Sequence, residues 1–346
     1  MKRSAAISLT ILLTLTTLAL AQDLSLPART LPAPKSDDIS PEMQAIIAAP
    51  PNPNARPLWK TGEEARATAD ADVPAALRRI PDLLQRLNLT MTAQVMDGVR
   101  VHVITPRNLP ASNRNRLLVH LHGGCYVLSP GAAGTIEGLL MAGLGRFKVV
   151  SVDYRMPPEA YFPAALDDAV TVYRAAVRQA GPKRVAVFGT SAGGALTLET
   201  MLKAKDLKLP MPGAIAVGTP MADATKVGDS FYTNEGVDNV LVSRDGFCDA
   251  ATKIYANGHD LKDKLISPIY GDMRGFPPAI LTSGTRDLLL SNTARTHRKL
   301  RRAGVVADLN VYEGQSHAHY GRNDAIPETR EAFGEIAAFF NRHLAK

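Results

Sequence analysis

The most informative run in this 346-residue chain is Arg184-Val185-Ala186-Val187-Phe188-Gly189-Thr190-Ser191-Ala192-Gly193. An apolar, β-branched segment leads into a Gly-x-Ser-x-Gly turn, and helix-forming residues follow the turn. In this strand–turn–helix context the pattern forms a nucleophile elbow, which lifts the serine hydroxyl above the edge of a sheet. The glycines are needed because the turn is too tight for side chains on either flank of the serine. The run therefore predicts a strand, a helix and a nucleophile at Ser191.

Strands and helices alternate on both sides of this elbow. Apolar or β-branched runs occur at 99–105, 117–121, 149–152, 185–188, 214–217, 279–282 and 308–312, and amphipathic stretches at 163–180, 192–203, 292–303 and 326–344. Near-continuous apolar strands that alternate with helices favour an α/β fold, with a mostly parallel sheet covered on both faces. The first two strands can pair antiparallel, because only the short loop 106–115 joins them.

Two regions outside this alternation predict a cap over the sheet. Helical patterning runs over 62–69 and 74–87, and the interval 221–263 is longer than a simple crossover needs. Insertions of that length in a compact domain are usually functional. We predict a helical cap built from residues 61–95 and an insertion at about 221–263, on a hydrolase domain that spans 96–346. A mobile surface excursion is the alternative for the insertion.

The N-terminus has the features of a secretory signal peptide. Lys2 and Arg3 precede an apolar stretch at 5–20, and Ala19-Leu20-Ala21 forms an A-x-A cleavage site. We predict a signal peptide over 1–21, cleavage after Ala21, and a secreted or periplasmic protein without a stable membrane span. A membrane anchor is the alternative, although the apolar stretch is short for a bilayer. Residues 22–60 then form a segment rich in proline and alanine, with one short helix near 42–49.

Composition is that of an ordinary globular protein. Hydrophobic residues make up 45% and charged residues 21% of the chain. The formal charge of +7 falls to +5 without Lys2 and Arg3, because 38 basic residues then face 33 acidic ones. The basic residues are scattered and aromatic residues are only 5%. A nucleic-acid partner, which would need a clustered basic stripe with aromatic neighbours, is therefore not expected.

The serine needs a base within hydrogen-bond reach and a carboxylate that orients the base. In sheets of this type the chain order is nucleophile, acid, base. Asp287 follows the strand at 279–282, and His317 lies in the loop between the last strand and the C-terminal helix. We predict Ser191, Asp287 and His317 as the catalytic groups. The alternative acids are Asp308 and Glu313, and the rival base in the same loop is His319.

A glycine-rich loop leaves the second of these strands, at His122-Gly123-Gly124-Cys125. Consecutive glycines let backbone N–H groups approach a substrate carbonyl without a Cβ in the way. We predict Gly123 and Gly124 as oxyanion donors, with the N–H of Ala192 at the helix N-terminus as the third. His122 is expected to hold the loop.

Two cysteines are present, Cys125 and Cys248. A disulfide is chemically possible in an exported protein. However, Cys125 lies in the glycine-rich loop and Cys248 in a predicted helix far along the chain, so two free thiols are the favoured interpretation. No C-x-x-C pattern and no metal-ligand spacing occurs in the sequence. We expect neither a metal nor an organic cofactor.

Four segments together resemble the hormone-sensitive-lipase-like branch of the α/β-hydrolases, the bacterial family IV esterases. His122-Gly123-Gly124-Cys125 is similar to the H-G-G-G loop of that family, and residues 153–159 with 162–165 are similar to its D-Y-R-L-A-P-E…P-A-A segment. Residues 189–194 are similar to its G-[TD]-S-A-G-G elbow. Residues 286–289 and 314–317 match the positions of its acid and its base. Tyr154 and Glu159 belong to the second segment and are taken as supporting residues. The resemblance implies carboxylic ester hydrolysis and a mostly parallel eight-stranded sheet with a helical cap.

Cys125 departs from the family pattern by standing at the third glycine of the loop. We expect a serine carboxylesterase that cleaves short- to medium-chain esters through an acyl-enzyme, with a small-molecule ester as its partner and a homodimer as one possible state. Two other functions stay open. One is a non-catalytic small-molecule binder on the same fold, against which the presence of His317 argues. The other is an amidase or peptidase with the same triad.

Overall fold

The computed structural model describes residues 31–34, 36–51 and 56–346. Within these residues the strands form one eight-stranded sheet in the order β1-β2-β4-β3-β5-β6-β7-β8. The strands are β1 Leu89–Met96, β2 Val99–Pro106, β3 Leu117–Leu121, β4 Lys148–Val152, β5 Val185–Thr190, β6 Ala214–Gly218, β7 Ala279–Gly284 and β8 Ala307–Tyr312. Strand β2 is antiparallel to both β1 and β4, and the remaining pairs are parallel. The predicted mostly parallel eight-stranded α/β sheet is confirmed.

Helices cover the sheet on both sides. They are α1 Pro41–Ala48, α2 Gly62–Arg86, α3 Ile136–Gly145, α4 Ala164–Ala180, α5 Ala192–Asp206, α6 Ser230–Thr233, α7 Phe247–Ala256, α8 Leu290–Arg302 and α9 Pro327–His343. Side chains along β5 alternate between the two faces, as strand geometry requires. Val187 joins the core cluster that contains Leu198 of α5. Phe188 joins the cluster on the opposite face, which contains Phe340 of α9.

The strand β1 was not indicated by the apolar pattern, and all of it except Met96 lies within residues 61–95, which were predicted to belong to the cap. Much of β1 is exposed, because it is the edge strand and carries threonine and glutamine. The signal that could have revealed it is Asp97-Gly98, whose φ angles of 50° and 88° make a tight hairpin turn to β2. Asp-Gly is typical of such two-residue turns. The sheet thus begins at Leu89.

The expected pairing of the strands at 99–105 and 117–121 is wrong. Strand β4 lies between them, antiparallel to β2 and parallel to β3. The short connection between β2 and β3 therefore passes across the end of β4, which lies between them in the sheet. Strand β3 is instead paired with β4 and β5, in parallel on both sides, and all of its residues are buried.

The two helical stretches expected at 62–69 and 74–87 form one helix, α2, which contains Pro74 and Pro81. Both prolines are exposed, so water can bond the carbonyls that a proline leaves without a donor. Thr61 caps its first turn by accepting a hydrogen bond from the N–H of Glu64. The helix packs against α3 and α7.

Among the residues that the structure describes, no helix is both long and apolar enough to span a membrane. The predicted signal peptide at 1–21 lies outside these residues.

Candidate active site

Ser191 lies on the sharp turn between β5 and α5, with φ 64° and ψ −121°. A side chain on Gly189 or on Gly193 would collide with the backbone oxygen of Leu121, which explains the glycines of the elbow. The N–H of Ser191 donates to the carbonyl of Gly218 at 2.9 Å, so β6 holds the turn. A non-glycine residue at such angles is strained and persists because its surroundings impose it.

His317 and Asp287 meet behind this turn. The Nδ1 of His317 lies 3.1 Å from Oδ1 of Asp287, and both side chains are almost fully buried. Burial alone would lower the pKa of His317, but the charge of Asp287 and its hydrogen bond outweigh burial, so that the pKa lies above its ordinary value. Because Nδ1 faces the carboxylate, Nε2 is the nitrogen left for chemistry.

The carboxylate of Asp287 is held by three further donors. Its Oδ2 accepts from the hydroxyls of Thr219 and, at 3.1 Å, of Ser283, and its Oδ1 accepts from the N–H of Leu289 at 2.8 Å. These bonds fix the carboxylate in the orientation that the imidazole needs. Thr219 follows β6 and was not singled out from the sequence.

The rival groups are placed elsewhere. The Nδ1 of His319 accepts a hydrogen bond from the N–H of Ser316 at 3.3 Å. The pKa of His319 is lowered to about 3, and burial is the main cause. Asp308 pairs with Arg342 at 2.9 Å, and Glu313 is exposed. Asp287 and His317 are therefore the acid and the imidazole that the fold brings together.

Ser191 and His317 line one cavity of about 400 Å³, which we call the catalytic cavity. In the part of the chain that the structure describes, their side chains make no hydrogen bond to each other. Catalytic hydrogen bonds are often long without substrate and tighten when it binds. Gly123, Gly124 and Cys125 line the same cavity.

The backbone of residues 122–128, the oxyanion loop, approaches the elbow closely. A Cβ on Gly123 would lie 2.8 Å from the carbonyl oxygen of Thr190 and 3.4 Å from the Cβ of Ser191. Gly124 has φ +109°, a conformation that suits glycine. Within the described residues, the N–H groups of Gly123, Gly124 and Ala192 have no protein acceptor. They are free to stabilise a negative oxygen above Ser191.

The supporting residues fall into two groups. His122 stacks on Tyr154 at a centroid distance of 4.1 Å, and its Nδ1 donates to the carbonyl of Gly123 at 2.8 Å. The hydroxyl of Tyr154 donates to the carbonyl of His122 at 2.8 Å, so the two rings hold the oxyanion loop. Burial lowers the pKa of His122 to about 4, which keeps it neutral. Glu159, in contrast, lies outside the cavity and pairs with Arg66 of α2.

The expectation of two free thiols is wrong, because Cys125 and Cys248 form a disulfide with Cα atoms 5.4 Å apart. That separation is ordinary for the bond. The distance between the two cysteines along the chain does not limit their distance in the folded protein. The fold lays α7 over the oxyanion loop and so brings together residues that are 123 positions apart.

Asp238, in the segment 221–263 that was predicted to be a cap insertion, is a second buried carboxylate that sequence reasoning missed. Its Oδ2 accepts from the N–H of Leu288, next to Asp287, at 2.9 Å, and its Oδ1 accepts from the N–H of Val240 at 2.8 Å. Burial, and then the charge of Asp287, raises the pKa of Asp238 to about 6. Nothing in the local sequence around Asp238 marks its contact beside Asp287, since Leu288 lies 50 positions away along the chain.

No cluster of three or more histidine, cysteine or acidic side chains with the geometry of a metal site occurs in the described ranges, 31–34, 36–51 and 56–346. The acids and imidazoles of the site bond to one another and to the backbone instead.

Comparison with known proteins places the chain in a family. A family model described as alpha/beta hydrolase fold matches residues 118–321. An acetyl-hydrolase of Streptomyces hygroscopicus is 32% identical over 235 residues, which cover 67% of this chain and 77% of the relative. The crystal structure of esterase E25 superposes with a TM-score of 0.88 at 43% identity, covering 93% of this chain and 99% of that one.

A second solved structure, an esterase from the bacterial hormone-sensitive lipase family, has a TM-score of 0.75 and 26% identity, over 88% of this chain and 99% of that chain. The chain belongs to the hormone-sensitive-lipase-like (bacterial family IV) esterases of the α/β-hydrolase superfamily and is a carboxylic ester hydrolase.

Proposed function

We propose that Ser191 attacks the ester carbonyl while His317 takes its proton and then gives it to the leaving alcohol. Asp287 keeps the imidazole in the productive tautomer and stabilises its cation. The N–H groups of Gly123, Gly124 and Ala192 hold the oxyanion of the tetrahedral intermediate. Water, activated by His317, then releases the carboxylic acid from the acyl-enzyme.

One observation carries this assignment. The imidazole of His317 has a buried carboxylate 3.1 Å behind its Nδ1, and it lines the same cavity as Ser191, Gly123 and Gly124, whose N–H groups have no acceptor among the described residues. A protein that only bound a small molecule would need no acid behind the imidazole. The arrangement therefore supports catalysis by the triad.

Labelling by a fluorophosphonate probe tests the nucleophile directly, because the probe reacts only with an activated serine. We expect the label on the peptide that contains Ser191, and a loss of labelling in His317→Ala but not in His319→Ala. Parallel assays of a p-nitrophenyl ester and a p-nitroanilide should show strong preference for the ester. Labelling at another residue, or full labelling of His317→Ala, would overturn the assignment.

The cap insertion and α2 are proposed to form the acyl or alcohol pocket and to favour short- to medium-chain esters. Val240, Leu241 and Phe247 of the insertion line the catalytic cavity. Phe247 also contacts Trp59, just before α2, in an edge-to-face pair at 5.9 Å. A series of p-nitrophenyl esters from acetate to palmitate on the mature protein should give a maximum of kcat/KM at or below eight acyl carbons. A maximum at palmitate would contradict the proposal.

Export with cleavage after Ala21 is a further proposal. The Cys125–Cys248 disulfide supports it, because such bonds form and persist in oxidising compartments. The N-terminal sequence of the protein recovered outside the cytoplasm should begin at Gln22. Recovery of intact protein from the membrane fraction would favour the anchor instead.

A homodimer is also proposed, through the edge strand β8. Its Val311 is 41% exposed, and the strand lies at the end of the sheet. A second copy of the strand could therefore pair with it in antiparallel orientation. Light scattering after size exclusion should give twice the mass of the mature chain, and Val311→Lys should give the monomer. A monomeric wild type would end this proposal.

A further inference from the structure

The disulfide joins the oxyanion loop to helix α7, and both contribute residues to the lining of the catalytic cavity. Cys125 stands in the oxyanion loop, directly after the donor Gly124, and Cys248 is the second residue of α7 in the cap insertion. Both side chains are buried, at 3% and 8% exposure. The bond is therefore internal and lies beside the catalytic machinery.

Backbone geometry shows that the loop needs external support at this point. Gly124, Cys125 and Tyr126 have φ angles of 109°, 53° and 64°, three consecutive residues in the left-handed region. Non-glycine residues in this region are costly and persist only when neighbouring contacts impose them. The carbonyl of Gly124 accepts from the N–H groups of Val127 and Leu128, which closes the far side of the loop but leaves the donor side free.

Helix α7 supplies the missing support through two adjacent residues of the loop. Cys125 is bonded to Cys248, and Tyr126 stacks on Tyr255 with a centroid distance of 4.0 Å and an angle of 2° between the rings. The hydroxyl of Tyr126 is in turn fixed by Glu199 of α5 at 2.7 Å. The loop is thus held between α5 and α7, and the disulfide attaches at Cys125, the residue directly after the donor Gly124.

The same helix also shapes the cavity. Phe247, one residue before Cys248, lines the catalytic cavity together with Cys125 and Leu241. A shift of α7 would therefore move both the wall of the cavity and the oxyanion loop. The disulfide couples the two so that neither moves alone.

We propose that the Cys125–Cys248 disulfide is a positioning element for ester hydrolysis, which holds the N–H groups of Gly123 and Gly124 at the height of the developing oxyanion by tethering their loop to α7. The proposal rests on the proposed function, since it assigns those amides to the oxyanion. Because the oxyanion develops only in the transition state, we expect that breaking the disulfide lowers kcat more than it raises KM.

Three variants test it: Cys125→Ala, Cys248→Ala and the double variant. We expect kcat for p-nitrophenyl butyrate, divided by the serine titrated with a fluorophosphonate, to fall about tenfold in each, below the 10²–10³-fold loss of a whole donor. Because both single variants break one and the same bond, the double variant should lose no more than either. Thr252→Ala, which removes a hydrogen bond within α7 and leaves the disulfide, is the matched control and should keep wild-type kcat.

Wild-type kcat per titrated serine in the double variant would overturn the proposal, as would losses that multiply between the two single variants. Normalising to titrated serine separates positioning from a mere loss of folded protein. A failure of the proposed function would show instead as wild-type enzyme that is not labelled at Ser191, whatever the variants do.

The unaltered chain gives a second test if the variants fold poorly. Protein purified with both thiols reduced is compared with the same protein after oxidation by glutathione disulfide, which accepts the two electrons and two protons released by the thiols and leaves as two molecules of glutathione. Thiol counting under denaturing conditions should fall from two to none, and kcat per titrated serine should rise about tenfold. Full activity with two free thiols would contradict the proposal.

Discussion

At the scale of single residues, the site is a set of buried polar groups that satisfy one another. Ser191, Asp287 and His317 could be named from chain order and from their positions after strands. Thr219 and Asp238 could not, because each acts through a contact with a distant loop. Sequence patterns reveal groups that lie in a recognisable turn, whereas the partners that orient them are set by tertiary packing.

Asp287→Asn should lower kcat by roughly 10³–10⁴-fold, the loss expected when the imidazole is held in the wrong tautomer. The reason is that Asp287 accepts from His317 while its other oxygen is already occupied by hydroxyls. Asp308→Asn is the matched control, since that residue pairs with Arg342 away from the site. Comparable losses from both substitutions in steady-state assays would remove Asp287 as the acid.

Asp238→Asn should move the acidic limb of the pH profile of kcat/KM to lower pH. The charge of Asp238 helps to raise the pKa of His317, as does that of Asp287, and Arg322 acts against them. With the charge of Asp238 removed, the imidazole loses its proton at lower pH and stays a competent base there. Profiles from pH 4 to 9 measure the shift, and the exposed Asp260→Asn serves as the control. An unchanged limb would show that Asp238 has no electrostatic effect on the base.

At the scale of elements, buried parallel strands could be predicted from apolar runs, whereas the edge and the cross-link could not. The core strands β3, β5, β6 and β7 are fully buried, and their sequences are mostly apolar. The edge strand β1 lacks that pattern because water covers much of it. The disulfide was missed because it depends on where α7 lies over the sheet.

Removal of the disulfide should also cost global stability. The bond closes a loop between residues 123 positions apart, and the chain-entropy account gives about 4–5 kcal/mol for loops of that length. We expect urea denaturation of Cys125→Ala/Cys248→Ala to show a loss of this order in the free energy of unfolding. The free energy of unfolding of Phe247→Ala, which shortens a neighbouring side chain of the same helix, is measured for comparison. A midpoint equal to that of the wild type would mean that the bond does not form.

At the scale of the whole molecule, four neighbouring strands deliver the catalytic constellation to one edge of the sheet. Strands β5, β6, β7 and β8 are adjacent and parallel, and Ser191, Thr219, Asp287 and His317 follow their carboxyl ends in that order. Ligands of α/β sheets bind at this edge. The oxyanion loop follows β3 on the other side of β5, so its proposed oxyanion donors and the proposed base His317 come from opposite sides of the Ser191 strand.

The central claim is that Ser191 is the nucleophile of this assembly. The turnover of p-nitrophenyl butyrate by Ser191→Ala, compared with wild type at equal folded concentration, tests it most directly. We expect kcat to fall by at least roughly 10³-fold, because the oxyanion donors alone supply only a small part of catalysis. A folded Ser191→Ala protein that turns over the ester at the wild-type rate would contradict the account.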